Sequence, residues 1–145
     1  MHADGLALIG DLGVAAIRDA GWRPAAVGGL TLGADPVAYA IARATAGTAS
    51  PIHAFTVRKA AKTHGVGKRL EGCFEPGDTV VVVEDVVTTG ASALEAAAAV
   101  RDAGGTVCGV LAVVDREEGG REAVERAGLA VYTICRLSEL LGGPS

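Results

Sequence analysis

The stretch that most constrains the fold is residues 79–92, TVVVVEDVVTTGAS. Its opening β-branched run, 79–83, is typical of a buried strand in a parallel sheet. Glu84 and Asp85 follow, and then hydroxyls and a glycine lead into an alanine-rich segment with helical spacing. Such a turn leaves backbone N–H groups unpaired at a helix N-terminus, which favours a bound phosphate. The simpler alternative is a strand that ends in a helix capped by Thr89 or Ser92.

The two adjacent carboxylates decide between these interpretations. A carboxylate does not bind phosphate, and a mere helix cap has no use for an acid pair. Glu84 and Asp85 suit the hydroxyls of a sugar that carries the phosphate, or a Mg²⁺ ion held nearby. The strand, the acid pair, the loop and the helix together predict a site for a ribose 5-phosphate.

Length and composition exclude several classes of protein. At 145 residues the chain is expected to form one domain, over 1–145, with a substantial core. Its net charge of −4 argues against nucleic-acid binding. The chain has no apolar stretch of about 18 residues, so no membrane span is predicted. The N-terminus does not resemble a secretory signal. The three cysteines fit neither a metal pattern nor a disulfide framework, so reduced thiols in the cytoplasm are expected.

Hydrophobic spacing predicts alternating strands and helices. Helices are predicted over 3–20, 36–46, 93–103, 121–127 and 137–141, and strands over 24–28, 52–58, 79–83, 107–114 and 130–134. This alternation predicts an α/β fold with a mainly parallel sheet flanked by helices on both faces.

A second glycine-rich loop, residues 28–36 (GGLTLGADP), also joins a predicted strand to a helix. Asp35 and Pro36 are the expected start signals of that helix. Taken alone the loop is a weak signal, because many α/β proteins use such turns for structure only.

Positive charge is concentrated in residues 58–69, RKAAKTHGVGKR, which hold all three lysines of the chain. A charge run is usually a solvated loop, but in an acidic protein this one favours a basic lid over a polyphosphate. Arg116 follows the predicted strand 107–114, at the sheet edge where ligands gather. It is equally suited to a substrate carboxylate and to an ion pair with Asp115 or Glu118.

These motifs resemble the orotate phosphoribosyltransferases, which are type I phosphoribosyltransferases. The resemblance rests on residues 79–92, on RKxxKxHG at 58–65, on the loop 28–36 and on VDRxxG at 114–119. It implies transfer of a phosphoribosyl group from phosphoribosyl pyrophosphate (PRPP) to orotate, with Mg²⁺, in pyrimidine synthesis. The metal is expected to be held without a protein-only metal site.

The resemblance also assigns roles to residues. Lys62 and Asp85 are the implied catalytic residues, and Thr88 and Arg116 are implied to contact orotate. It implies a homodimer in which the basic loop reaches the neighbouring subunit's site. The implied PRPP-binding residues are Arg58, Lys59, Lys62, His64, Glu84, Asp85, Val86, Val87, Thr88, Thr89, Gly90, Ala91 and Ser92.

The sequence departs from the family pattern at its N-terminus. Family members carry a preceding segment that covers the base, and this chain is expected to begin after it. The loop 28–36 also has no lysine. Two alternatives stay open, namely a phosphoribosyltransferase for another base and a non-catalytic PRPP-binding regulator.

Overall fold

The structure is a computed structural model that describes residues 1–59 and 68–142. Five helices and six strands are found in these ranges. The helices are α1 (Ala3–Asp19), α2 (Ala34–Thr45), α3 (Ala91–Asp102), α4 (Gly120–Arg126) and α5 (Leu137–Leu140). The strands are β1 (Ala26–Leu30), β2 (His53–Val57), β3 (Leu70–Gly72), β4 (Thr79–Val87), β5 (Thr106–Asp115) and β6 (Val131–Arg136).

The strands form one sheet in the order β3-β2-β1-β4-β5-β6. Neighbouring strands are parallel except for β3, which runs antiparallel to β2. The prediction of a mainly parallel sheet flanked by helices is confirmed. Among the described residues, no helix has the length and apolar character needed to cross a membrane.

Helices cover both faces of the sheet, and alternate residues of β4 supply the two cores. Val81 and Val83 pack with α1 and α2 on one face. Val80 and Val82 pack on the other face with α3 and with Val124 of α4. Because successive side chains of a strand point to opposite faces, a strand buried on both sides reads as a continuous apolar run.

Several predicted boundaries were wrong. Strand β4 does not stop at Val83 but continues through the acid pair, because it stays paired with β5 as far as Val87 opposite Asp115. Helix α2 begins at Ala34, so that Pro36 is its third residue. The short strand β3 was not predicted, since three residues, Leu-Glu-Gly, carry no readable alternation.

The strand order places the two glycine-rich loops together. The chain leaves β1 through α2 to β2 on one side, and leaves β4 through α3 to β5 on the other. Adjacent strands β1 and β4 therefore form a topological switch point, where the connections diverge and open a crevice. The loop after β1 and the loop after β4 border this crevice at the carboxyl ends of their strands.

Candidate active site

The acid pair lies at the switch point, with its two carboxylates on opposite faces of β4. Glu84 continues the row of Val80 and Val82, which faces α3. Asp85 continues the row of Val81 and Val83, which faces α2. Adjacent acids in the sequence thus reach two different loops.

Glu84 is buried, with only 6% of its surface exposed. It lines a small pocket together with residues of the loop 88–92. Its Oε1 atom is fully buried and has no hydrogen-bond partner within the described part of the chain. Loss of hydration, with a smaller contribution from the charge of Asp85, raises the pKa of Glu84 from 4.5 to about 7. Beside the pocket, one carboxyl oxygen is therefore buried with no donor among the described residues.

Asp85 is exposed and lies against the other glycine-rich loop. Its Oδ1 accepts a hydrogen bond of 2.7 Å from the Val86 N–H. A Cβ atom built on Gly33 would lie only 2.7 Å from the same Oδ1, so the backbone of the loop runs directly against the carboxylate. The structure thus brings the loop 28–36 into contact with the acid pair.

The predicted phosphate loop forms the N-terminus of α3. Its N-cap is Gly90, with φ of +85°, and not Thr89 or Ser92, so the capping alternative named the wrong residues. The Thr89 hydroxyl oxygen accepts a hydrogen bond of 3.3 Å from the Ala91 N–H. Of the predicted PRPP-binding residues here, Val87 has a buried side chain and can contribute only its backbone.

The backbone at the start of α4 packs directly against this loop. A Cβ atom at Gly120 would collide with the Thr88 carbonyl oxygen, and one at Gly90 would lie 2.8 Å from the Gly120 carbonyl oxygen. The two backbones can approach this closely only because both residues are glycines. This packing holds the loop in place before any ligand binds.

Asp35 has a different role from the predicted helix cap. Its Oδ2 accepts a 2.7 Å hydrogen bond from Thr31, and its Oδ1 accepts one of 3.0 Å from Thr56. Tyr39 lies 3.2 Å from the Thr56 hydroxyl oxygen, and it is the donor because the Thr56 proton is already given to Asp35. Sequence reasoning missed this network, which ties the loop after β1 to β2.

Arg116 follows β5 directly and lies beside the phosphate loop. Its N–H donates a 3.0 Å hydrogen bond to the Val87 carbonyl oxygen, so Arg116 and Thr88 are neighbours at the sheet edge. The guanidinium is 3.3 Å from the Glu118 carboxylate, in a half-exposed ion pair. The ion-pair alternative is thus what this ligand-free arrangement shows, and the pair is accessible enough to exchange for a substrate carboxylate.

The basic segment begins at the end of β2. Arg58 donates a 2.9 Å hydrogen bond to Glu71 of β3, and Lys59 is exposed. The predicted PRPP-binding residues Lys62 and His64 lie outside the described residues. Within the described ranges, no cluster of three or more histidine, cysteine or acidic side chains is placed to hold a metal ion.

No family model matches the chain. Its structure is similar to that of Mycobacterium tuberculosis H37Rv orotate phosphoribosyltransferase in complex with PRPP, with a TM-score of 0.84 and 47% identity over 96% of this chain and 77% of that one. Together with the acid pair and the predicted phosphate loop at the switch point, this likeness identifies the fold as that of the type I phosphoribosyltransferases.

Relatives with similar sequences show which family of type I phosphoribosyltransferases the chain belongs to. The orotate phosphoribosyltransferase of Aquifex aeolicus is 56% identical over 120 residues, which cover 83% of this chain and 66% of the relative. That of Mycobacterium leprae is 50% identical over 140 residues, which cover 97% of this chain and 75% of the relative. The chain belongs to the orotate phosphoribosyltransferase family.

Proposed function

We propose that the chain transfers the phosphoribosyl group of PRPP to orotate, forming orotidine 5′-monophosphate and pyrophosphate in pyrimidine synthesis. The bond from ribose C1 to the pyrophosphate oxygen breaks, and a bond from C1 to a ring nitrogen of orotate forms as that nitrogen gives up its proton to the departing pyrophosphate. The observation that carries the proposal is the position of the acid pair. In a chain of this family, Glu84 reaches the phosphate loop and Asp85 reaches the loop after β1.

The acid pair suits the ribose of PRPP. A ribose hydroxyl would supply the hydrogen bond that Glu84 Oε1 lacks, while Asp85 is exposed and open to a second hydroxyl. As the C1–oxygen bond breaks, positive charge develops on the ribose, and nearby carboxylates stabilise it. We assign Asp85 a catalytic role on this ground.

The loop of residues 88–92 suits the 5′-phosphate. It lies at the N-terminus of a twelve-residue helix, α3, where backbone N–H groups and the helix dipole favour an anion. The other predicted PRPP-binding residues at this place, Val86 and Val87, belong to the end of β4 and contribute through the backbone that leads into the loop.

Thr88 and Arg116 form the proposed contact with orotate. They lie side by side at the sheet edge through the Arg116 N–H to Val87 carbonyl hydrogen bond. The guanidinium can offer two parallel N–H donors to the orotate carboxylate once it leaves Glu118. A base without a carboxylate, such as uracil or hypoxanthine, would not make that exchange.

Magnesium fits the proposal as an ion held largely by the substrate. Mg²⁺ is usually bound through one or two carboxylates together with substrate phosphates, and Asp85 offers an exposed carboxylate at the crevice. When bound, the ion would neutralise charge on the departing pyrophosphate. Lys59 and Arg58, with Lys62 and His64, add positive charge for the same leaving group.

We infer a single phosphoribosyltransferase domain that acts as a homodimer, with Arg58, Lys62 and His64 serving the neighbouring subunit's site and Lys62 acting in catalysis. The partners are PRPP and orotate, without nucleic acid or membrane. A cytoplasmic location is supported by the three cysteines, which are free thiols.

The test is to follow the ultraviolet absorbance of orotate with the purified chain, PRPP and Mg²⁺. Uracil and hypoxanthine serve as parallel acceptors. Loss of orotate absorbance that depends on both PRPP and Mg²⁺ would support the proposal. Turnover of another base instead of orotate, or PRPP binding without any turnover, would contradict it and favour another phosphoribosyltransferase or a regulator.

A further inference from the structure

One arginine that the sequence motifs did not single out joins two parts of the site. The guanidinium of Arg69 donates to the Arg58 carbonyl oxygen through Nε at 3.0 Å and through Nη2 at 2.8 Å. Nη2 also lies 3.1 Å from the Lys59 carbonyl oxygen and 2.6 Å from Glu95 Oε1. A single side chain therefore binds two successive backbone carbonyls and a carboxylate.

These contacts fix the direction in which the chain leaves β2. The antiparallel pairing of β2 with β3 ends at Val57 opposite Leu70. It is extended by a 2.8 Å hydrogen bond from the Arg58 N–H to the Arg69 carbonyl oxygen. The backbone of Arg69 thus binds the Arg58 N–H, and its side chain binds the carbonyl oxygens of Arg58 and Lys59.

The carboxylate partner belongs to a different element. Glu95 lies in the second turn of α3, the helix whose N-terminus forms the phosphate loop. Through Glu95, the Arg69 guanidinium is anchored to the helix that would bind the 5′-phosphate. Through the Lys59 carbonyl and that of the preceding residue, it holds Lys59, which would bind the pyrophosphate of the same PRPP. The two ends of PRPP are thereby related by one side chain.

We propose that Arg69 is a positioning residue for PRPP, which sets Lys59 relative to the phosphate loop of the same subunit by clamping the Arg58 and Lys59 carbonyls to α3. This inference rests on the proposed function. The planar fork of arginine is essential to it, because lysine offers a single ammonium group that cannot reach both carbonyls and Glu95 in the same geometry. The substitution Arg69→Lys therefore separates the two contributions, because it keeps the positive charge and removes the planar fork.

The experiment measures PRPP binding by calorimetry in the presence of Mg²⁺, together with the KM values for PRPP and orotate. The variants are Arg69→Lys, Arg69→Gln and Glu95→Gln. Arg121→Gln is the matched control, since Arg121 and Glu125 form an ion pair of 2.9 Å with side chains 31% and 45% exposed, against 30% and 42% for Arg69 and Glu95. Thermal unfolding is recorded for every variant.

We expect Arg69→Lys and Arg69→Gln to weaken PRPP binding and to raise the KM for PRPP by about tenfold or more, because misplaced binding groups carry penalties of that order. The KM for orotate and the unfolding midpoint should stay within the range of Arg121→Gln. Glu95→Gln should weaken PRPP binding less, because the carbonyl contacts remain.

Two results would overturn the inference. Wild-type PRPP affinity in Arg69→Lys would show that charge alone suffices. Losses of affinity in the Arg69 variants no larger than in Arg121→Gln would show an ordinary surface ion pair. If the wild-type chain itself does not bind PRPP, the proposed function fails and this inference fails with it, which separates that case from the other two.

Discussion

The buried carboxyl of Glu84 makes a sharp prediction about stability and pH. With its pKa raised to about 7, the folded chain keeps the Glu84 proton over a range in which the unfolded chain, with the ordinary value of 4.5, releases it. Folding therefore binds protons in this window, so stability is greater at the acid end and falls as the pH rises through it. Replacing Glu84 with glutamine, a neutral side chain of similar shape, removes this term.

The magnitude follows from the two pKa values. At 1.36 kcal/mol for each pH unit, ionising Glu84 in the folded chain costs about 3 kcal/mol once the pH exceeds 7. Most of that loss falls between pH 5 and pH 8. The difference in the free energy of unfolding, Glu84→Gln minus wild type, should therefore rise by about 2–3 kcal/mol over that interval. Any constant effect of the amide cancels in this difference.

Urea unfolding of the wild type and of Glu84→Gln at a series of pH values from 5 to 8 measures this difference in the free energy of unfolding. A chelator is included and PRPP is left out, so that no ligand stabilises the ionised form. Glu75→Gln is the control, because Glu75 is an exposed glutamate and its replacement should leave the pH profile unchanged. Parallel profiles for the wild type and Glu84→Gln would refute the reasoning, since they would mean that ionised Glu84 is not penalised in the folded chain.

Three substitutions test other contacts of the site. Asp85→Asn should raise the KM for PRPP about tenfold, because it removes the charge from one proposed ribose hydrogen bond; unchanged kinetics would withdraw that role. Arg116→Lys should raise the KM for orotate by about the same factor and spare PRPP binding, since lysine cannot bind a carboxylate with two parallel donors. An equal effect on both substrates would contradict this assignment. Gly29→Ala should lose about 1–3 kcal/mol in urea unfolding, because its Cβ would collide with the Val83 carbonyl oxygen. The control Gly5→Ala, with nothing within 4 Å of its Cβ, should lose none, and equal losses would exclude the collision as the cause.

Sequence reasoning succeeded where chemistry and spacing act locally. The run of valines before Glu84 indicates a strand buried on both faces, and the hydroxyls and glycine after Val87 indicate the entry to a helix. Boundaries were less accurate because pairing partners decide them. Strand β4 extends past Val83 only because β5 stays alongside it, and no local pattern records that.

Contacts between distant segments were beyond local patterns. The position of Asp35 before Pro36 predicted a helix cap. Its carboxylate instead accepts hydrogen bonds from Thr31 and from Thr56, which is 21 residues away. In the sequence, Arg69 is only one of several positive charges in a basic segment. In the structure it binds Glu95, which is 26 residues away and lies on another element. Which acceptor a side chain finds depends on how the strands are ordered.

The sequence alone determined the fold class and the family resemblance, and it predicted the acid pair and the phosphate loop, because each is written in a contiguous pattern. The tertiary structure decided how these parts face one another. It placed Glu84 and Asp85 on opposite sides of β4, left one oxygen of Glu84 buried with no donor in the described part of the chain, and brought Gly33 against Asp85. The physical reason is that burial, and the pKa that follows from it, depend on the sum of neighbours from every packed element, which adjacent residues do not specify.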